Sequence, residues 1–494
     1  MKVTNHRKTI SAVAGLFLLG TASAGPVYQP PGSNLTFGDV THGLRVQSAS
    51  SNPAAAAADR ARAQGAPNRG MVFSAAAGLE YGNVQELFDL YDEIAGAYKP
   101  SEPGTPPGPG QNPDTDNGID IGRIIDELDP DTRATIEAVG REIVSQAAVL
   151  ALIASEGYAR AWVSADVPVV LNGDLWGGTW TTGVNWSGSS KAFGATVPIE
   201  FDVDSALEEL ERALDGFING LVPNPPEEIE LSRDVLMNID PDTRNIIVLL
   251  DNDSTLSTKA SQTTELNLGY SRETWSSERG SLFLGAEAKL YLMRLSRFAA
   301  RFGDITDSEE LFDAIDNANF QNDEGVGVDL GALWVGDNYQ LGLQWTNINE
   351  PEFEYPEIDV SRYRDRAIIR AIQLDQTYRM DSQVKLEASL FTDNRRWSAH
   401  LGFDANAATD QLGDDYQWAT LSAAWTRPDS FWLPNVRVGW RQNLAGTELG
   451  FVSVGATMFR YINFDISSAL DTVKISGTEL PQGLMGSIGF HINW

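Results

Sequence analysis

The chain has no cysteine among its 494 residues, so neither a disulfide framework nor thiolate chemistry is open to it. Histidine is almost as scarce, with His6, His42, His400 and His491 the only four. Long apolar runs are missing too. Past the N-terminus nothing approaches the ~18–20 apolar residues of a transmembrane helix; the best stretch, Ala147 to Ala154, is broken by Ser155 and Glu156. Positive charge is in deficit, and the formal net charge is −32. That balance excludes nucleic acid as a partner, because its binding depends on Lys and Arg neutralising phosphates. No phosphate-binding Gly loop, zinc-ligand spacing or dinucleotide fingerprint occurs, so neither a metal nor a cofactor is expected.

What is present begins with an export signal. Lys2, His6, Arg7 and Lys8 make a basic start, and an apolar run from Ile10 to Leu19 follows. Ala22-Ser23-Ala24 has the small-x-small pattern of a cleavage site, so residues 1–24 read as a signal peptide cut before Gly25. Exported without a membrane-spanning helix, the mature chain is either periplasmic or a barrel in the outer membrane.

Period-2 alternation decides between these. Leu484, Gly486, Ile488, Phe490, Ile492 and Trp494 fall on one face, with Ser487, Gly489, His491 and Asn493 on the other. Leu282, Leu284, Ala286, Ala288 and Leu290 alternate with Glu287 and Lys289; Val384, Leu386, Ala388 and Leu390 alternate with Lys385, Glu387 and Ser389. Val436, Val438 and Trp440 alternate with Arg437 and Arg441, and Ile462, Phe464 and Ile466 with Asn463, Asp465 and Ser467. Charges inside such strands require one wet face, hence a polar lumen opposite a lipid-facing surface. A soluble β-sandwich alternates as well. Three features oppose it: strand lengths near the ~9–11 residues of a tilted crossing, aromatics near strand ends (Trp334, Trp345, Trp397, Trp425, Tyr461), and a chain that closes on a strand at Trp494.

Fourteen strands are expected: Met71–Tyr81, Tyr158–Leu171, Trp176–Trp186, Thr263–Glu273, Ser281–Arg294, Gly325–Val335, Tyr339–Asn347, Gln383–Thr392, Trp397–Asp404, Gln417–Trp425, Asn435–Arg441, Leu449–Met458, Tyr461–Ser467 and Gly483–Trp494. The number is even, as in single-chain bacterial barrels. With both ends periplasmic, every short connection falls on the inner side and every long one outside. Counting Phe193–Phe201 or Ala371–Tyr378 as a further crossing breaks that parity, and counting both puts helical segments inside. The reading is an all-β transmembrane barrel (71–494) preceded by a hatch or plug segment (25–70), with helical outer insertions at about 82–157, 187–262 and 295–324. Val84, Leu87, Leu90 and Ile94 share a helical face, as do Leu207, Leu210, Leu214 and Ile218. Asp129-Pro130-Asp131-Thr132-Arg133 recurs as Asp240-Pro241-Asp242-Thr243-Arg244, in each case an Asp cap before Pro at a helix start. Pro100–Gly118 reads as a linker.

Three islands carry a resemblance. Gly439-Trp440-Arg441-Gln442-Asn443-Leu444-Ala445-Gly446, the run from Asn347 to Pro356, and Ser51-Asn52-Pro53-Ala54 are similar to stretches of the FadL-type outer-membrane transport barrels, most closely their conjugal-transfer TraF-like branch. The resemblance runs loosely from Gly38 to Trp494. It implies a fourteen-stranded barrel with an N-terminal hatch, and Asn52, Pro53 and Ala54 as the residues that control it. The TraF-like name also covers a thioredoxin-like periplasmic protein, which a chain without cysteine does not match, so a conjugation role is discounted.

Two site readings stay minor. Ser398 and His400 share a lumen face, as a Ser–His nucleophile pair would, but no nucleophile motif surrounds them. Asp114, Asp116, Gly118 and Asp120 outline a calcium loop that has Ile125 where a bidentate Glu belongs. No enzyme is expected. The lumen-facing polar candidates are Glu287, Lys289, Lys385, Glu387, Arg437 and Arg441. The functional expectation is passive, hatch-controlled transport of small apolar molecules of the fatty-acid or hydrocarbon class. The alternative is an accessory surface barrel engaging a partner or a conjugation or secretion apparatus. Expected partners are outer-membrane lipids and, through the C-terminal strand, the outer-membrane barrel assembly machinery.

Overall fold

The computed structural model describes residues 31–42, 46–62, 69–82, 158–171, 176–195, 197, 205, 208–209, 212–213, 228–232, 234–239, 246–250, 253–301, 319–374, 376–427, 431–432, 434–475 and 478–493. The signal peptide, the 84–94 face, the Pro100–Gly118 linker, the Asp114–Ile125 loop and both Asp-Pro repeats lie outside these residues.

Fourteen strands close into one antiparallel barrel. They are β1 (Gly70–Tyr81), β2 (Tyr158–Val170), β3 (Thr179–Ala195), β4 (Thr255–Ser277), β5 (Gly280–Arg301), β6 (Phe320–Val335) and β7 (Tyr339–Thr346). The second half comprises β8 (Gln383–Phe391), β9 (Trp397–Asp404), β10 (Trp418–Trp425), β11 (Asn435–Asn443), β12 (Gly450–Met458), β13 (Ile462–Ala469) and β14 (Gly483–Asn493). β1 pairs with β14, from Gly70 opposite Asn493 to Glu80 opposite Gly483, so no edge is left open. Two ends follow: a terminal end with the short turns, and a loop end with the long connections.

The faces are the inverse of a soluble protein's. Leu390, Val454 and Ile466 are exposed by 64%, 64% and 63%, whereas Asp329, Arg437 and Asp465 inside are exposed by 1%, 3% and 2%. An apolar skin around a polar interior is what strands between lipid and lumen require. No described helix is long and apolar enough to cross a membrane, which says nothing of a barrel. Trp397, Trp345 and Tyr461 stand exposed near strand ends, where interfacial aromatics belong.

Two boundaries need correction. β3 runs to Ala195 and β4 starts at Thr255, so the outer insertion expected at 187–262 is shorter by both strand extensions. It is also only partly helical. Ser205, Glu208, Glu209, Arg212 and Ala213 are helical, but Glu228–Ser232, Val235–Ile239 and Ile246–Leu250 form a three-stranded sheet. The run Ile246-Ile247-Val248-Leu249-Leu250, apolar throughout and β-branched at its first three positions, favours a strand over a helix. β5 likewise continues to Arg301 and β6 begins at Phe320, which narrows the insertion expected at 295–324. Neither Phe193–Phe201 nor Ala371–Tyr378 adds a crossing. Phe193 is in the extension of β3, while helix Arg366–Leu374 and the short pair Glu352–Glu354 with Thr377–Arg379 fold over the loop end.

Apolar side chains pack at that loop end. Tyr291, Met293 and Leu295 of β5 bury Phe353, Tyr355, Tyr378 and Met380 from the 347–382 connection. A second layer joins Tyr416, Trp418, Phe451 and Met485.

Candidate functional site

Residues 31–42 and 46–62 lie in the barrel interior as the segment that fills it. A short helix α1 (Asn34–Phe37) lies against β10 to β13, and α2 (Ala55–Arg62) against β3 to β6. Gly38 ends α1 at φ 80°, its N–H bonded to Asn34 O at 2.8 Å; a Cβ there would be strained by the backbone and would meet Thr420.

Asn52-Pro53-Ala54 forms the turn that starts α2. The Asn52 side-chain oxygen accepts the Ala54 N–H at 2.9 Å, and its backbone oxygen accepts the Ala55 N–H at 2.9 Å. Pro at the middle position has no donor to lose and presets the backbone angle. The turn presses directly on the wall: a Cβ on Gly285 or Gly331 would collide with Pro53 or Asn52. Only glycine lets the two backbones approach this closely.

Polar contacts hold the segment as well as apolar ones. Glu387 accepts the Thr41 N–H at 2.6 Å and the Thr41 hydroxyl at 2.8 Å, and the Asn52 amide donates to it at 3.2 Å. Lys385 bonds Asp39 at 3.0 Å. Arg437 grips Asp465 with two donors, its Nε at 2.8 Å, and Asp465 also accepts the Thr36 hydroxyl at 2.5 Å. The Arg437 guanidinium stands over the Phe37 ring at 5.7 Å. Three carboxylates therefore join the segment to the wall, two accepting from it and one reaching Lys385 from it.

Above this latch lies a chamber of about 160 Å³. Seven carboxylates (Asp39, Asp166, Glu265, Glu287, Asp381, Glu387, Asp404) and three basic side chains (Lys289, Lys385, Arg441) line it. Lys289 is shared, at 2.9 Å from Asp329, 3.5 Å from Glu265 and 3.7 Å from Glu287. Arg441 lies across the Trp418 and Phe451 rings at 4.7 and 5.2 Å and donates to Met485 Sδ at 2.9 Å. All six lumen-facing candidates thus point inward, but they divide. Arg437 belongs to the latch, Glu287, Lys289 and Arg441 to the chamber wall, and Lys385 and Glu387 to both.

Two titratable groups outside the strands report on the seals. His42 stacks on Phe37 at 4.1 Å and reaches Asn34 Oδ1 at 2.9 Å. Burial, reinforced by His400 and the Arg437 charge, holds its imidazole well below the ordinary value. Asp414 closes the loop end, bonded to Arg160 at 3.1 Å and to Lys191. Burial alone would raise its carboxyl, but those two cations outweigh it and hold it below the usual range.

His400 does bond Ser398, at 2.9 Å, yet its other nitrogen meets Ser389 at 2.8 Å rather than a carboxylate. Phe37 and Phe391 pack its ring edge-on. This is a bridge between strand and segment: Ser389 also donates to Thr41 O at 3.2 Å.

Sequence reasoning missed Thr36, Asp39 and Thr41, which have no periodicity to mark them. It passed over Asp166 and Asp329, which alternation within β2 and β6 could have found, and gave no role to Glu265 or Asp465.

The model of the family described as "F plasmid transfer operon, TraF, protein" matches residues 49–404. No curated protein matches the chain. Among solved structures it is similar to the deltaS2 mutant of the TodX monoaromatic hydrocarbon channel (11% identity, 95% of this chain and 100% of that one, TM-score 0.43). It is also similar to a Pseudomonas aeruginosa FadL homologue (10%, 96% and 99%, 0.34) and to the Ralstonia pickettii toluene transporter TbuX (9%, 97% and 100%, 0.31). Likenesses at that level carry nothing about what passes through the barrel.

Proposed function

We propose, from the premise that this chain belongs to the family described as F plasmid transfer operon, TraF, protein, that it sits in the outer membrane and acts as a hatch-controlled passive transport barrel. One observation carries the reading: the segment filling the lumen is held by hydrogen bonds and ion pairs around an internal chamber. Such bonds exchange with water, each one to a charged group contributing about 1.5–3 kcal/mol net, so the segment is a part that can move. Asn52, Pro53 and Ala54 are its pivot, because they fix the start of α2 against β5 and β6. Lipid covers the apolar exterior, and the barrel assembly machinery engages β14.

The cargo first expected is a small apolar molecule. For it, the aromatic layer of Tyr291, Phe353, Tyr355 and Tyr378, buried at the loop end, has to part for entry. The charged chamber beneath would reject it, since desolvating carboxylates against hydrocarbon is costly. An apolar cargo therefore leaves sideways into lipid, and a polar one continues through the chamber. The test is uptake of a labelled long-chain fatty acid by cells lacking their own fatty-acid porin. Wild type is compared with an Asn52→Ala, Pro53→Ala double variant at matched surface level. Uptake that the variant loses supports pivot-controlled apolar transport; no uptake by inserted wild type removes the apolar cargo.

A second reading is an accessory barrel for a conjugation or secretion apparatus. The family's description and the three-stranded sheet at 228–250 on the loop end favour it. Deleting that sheet would then lower plasmid transfer while leaving solute flux unchanged.

A further inference from the structure

The wall of the chamber formed by β2 to β5 has too many acceptors for its donors. Asp166, Asn185, Glu265 and Tyr291 face one another as direct cross-strand partners on four adjacent strands. Neighbouring strands are about 4.8 Å apart, so Asp166 and Glu265 flank Asn185 at roughly twice that spacing. Lys289, one pair along and opposite Asn267, is the only cation lining this wall among the described residues. It is already divided among Asp329, Glu265 and Glu287. Asp166 is 95% buried, lines the chamber and makes no ion pair among the described residues.

Independent of the charges, two neutral oxygens that line the chamber have no hydrogen-bond partner among the described residues. The Thr420 hydroxyl, on a side chain 96% buried, faces the chamber without a hydrogen-bond partner, as does the Asn185 side-chain oxygen. Against them stand the Trp418 indole N–H and the Arg441 guanidinium, both lining the chamber. Buried acceptors and carboxylates left so are costly unless a donor-rich cation joins them. A metal ion does not suit the arrangement, because no three Asp, Glu or His side chains converge on one point among the described residues. The complement must be extended. The lining carboxylates Asp166, Glu265 and Glu287 exceed Lys289 by two charges, and the volume of about 160 Å³ accommodates a short chain, at about 10–15 Å³ for each water-sized position.

We propose that this chamber binds a linear aliphatic diamine, with one ammonium at Asp166 and Asn185 and the other at Glu265 and Glu287, and the Thr420 hydroxyl as an additional acceptor. As a cargo assignment this rests on the transport reading; as a binding site it does not.

The test is calorimetric titration of the purified full chain in detergent with 1,4-diaminobutane, butylamine and calcium. One diaminobutane per barrel is expected, with butylamine at least tenfold weaker. Asp166→Asn and Glu265→Gln are each expected to weaken diamine binding at least tenfold while the barrel keeps its heat-modifiable migration. Absence of saturable diamine binding, equal binding by butylamine, or calcium binding that diamine does not compete with overturns the proposal. Should a variant fail to fold, wild type alone decides: diaminobutane must raise the unfolding temperature more than sodium chloride at matched ionic strength, and an equal shift overturns the site. Diamine flux into liposomes separates the two ideas. Binding without flux upholds the site and removes transport; flux without binding overturns the site.

Discussion

Between Asn34 and His42 the internal segment adds charged hydrogen bonds to its apolar contacts with the wall, and between Pro53 and Ala58 it meets the opposite wall through methyl groups and bare backbone. In the first stretch Thr36, Asp39 and Thr41 each bond a charged side chain of β8 or β13. In the second, Ala54, Ala55, Ala57 and Ala58 pack on Phe283 and Leu333, with Gly285 and Gly331 removing the side chains that would hold them off. Apolar close packing is insensitive to salt and mild acid; charged hydrogen bonds in a wet lumen respond to both. One end is therefore an anchor and the other a latch.

The sharpest way to break that contrast is Arg437→Leu. It leaves Asp465 buried without its bidentate partner, for which about 3–5 kcal/mol is expected. Hydrogen exchange should rise across 34–42 and stay low across 54–60. Gly285→Val attacks the other end. Its side chain runs into the Pro53 carbonyl, overpacking by about 1–3 kcal/mol, and exchange should rise across 54–60 first. Uniform exchange in either variant would mean the segment moves as one body. Glu387→Gln keeps the shape but replaces charged acceptors for Thr41, at about 1.5 kcal/mol. Salt should then loosen the latch less than in wild type.

Mild acid should act on the latch and spare the anchor. The His42 imidazole is held below its ordinary value in the docked state, so undocked chain binds the extra proton. Docking stability is fully present above about pH 6.5 and falls as pH drops below it, by at most about 1.4 kcal/mol per unit. Protease cleavage within 34–42 should accelerate at pH 5.5, and His42→Gln should remove most of that dependence. Asn52→Ala loses the side-chain bond to Ala54 N–H, about 1 kcal/mol, together with the amide bonds to Glu387 and Leu343 O, and frays the start of α2.

The strand pattern was legible wherever lipid and lumen impose opposite demands on alternate residues. Leu386 and Leu390 against Lys385 and Glu387 leave no other reading, and the ends of β8, β9 and β10 fall within one residue of expectation. Legibility fails above the lipid. At 255–262 and 294–301 both faces of β4 and β5 are covered, alternation disappears, and the strands run on unseen. The latch was half legible. Charges on β8 and β11 announce a polar lumen, but their partners lie hundreds of residues away on a segment with no period, as Thr36 does from Asp465. The Asn52 turn was readable because its chemistry is local.

A disulfide staple tests the account most directly, and a chain without cysteine admits one without background. Ser389 donates to Thr41 O at 3.2 Å, so a Thr41→Cys, Ser389→Cys pair would lock the latch to β8. The measurement is diamine and fatty-acid flux into liposomes before and after reduction. Flux absent in the oxidised barrel and restored by reductant is the predicted result; equal flux in both states would contradict a moving hatch.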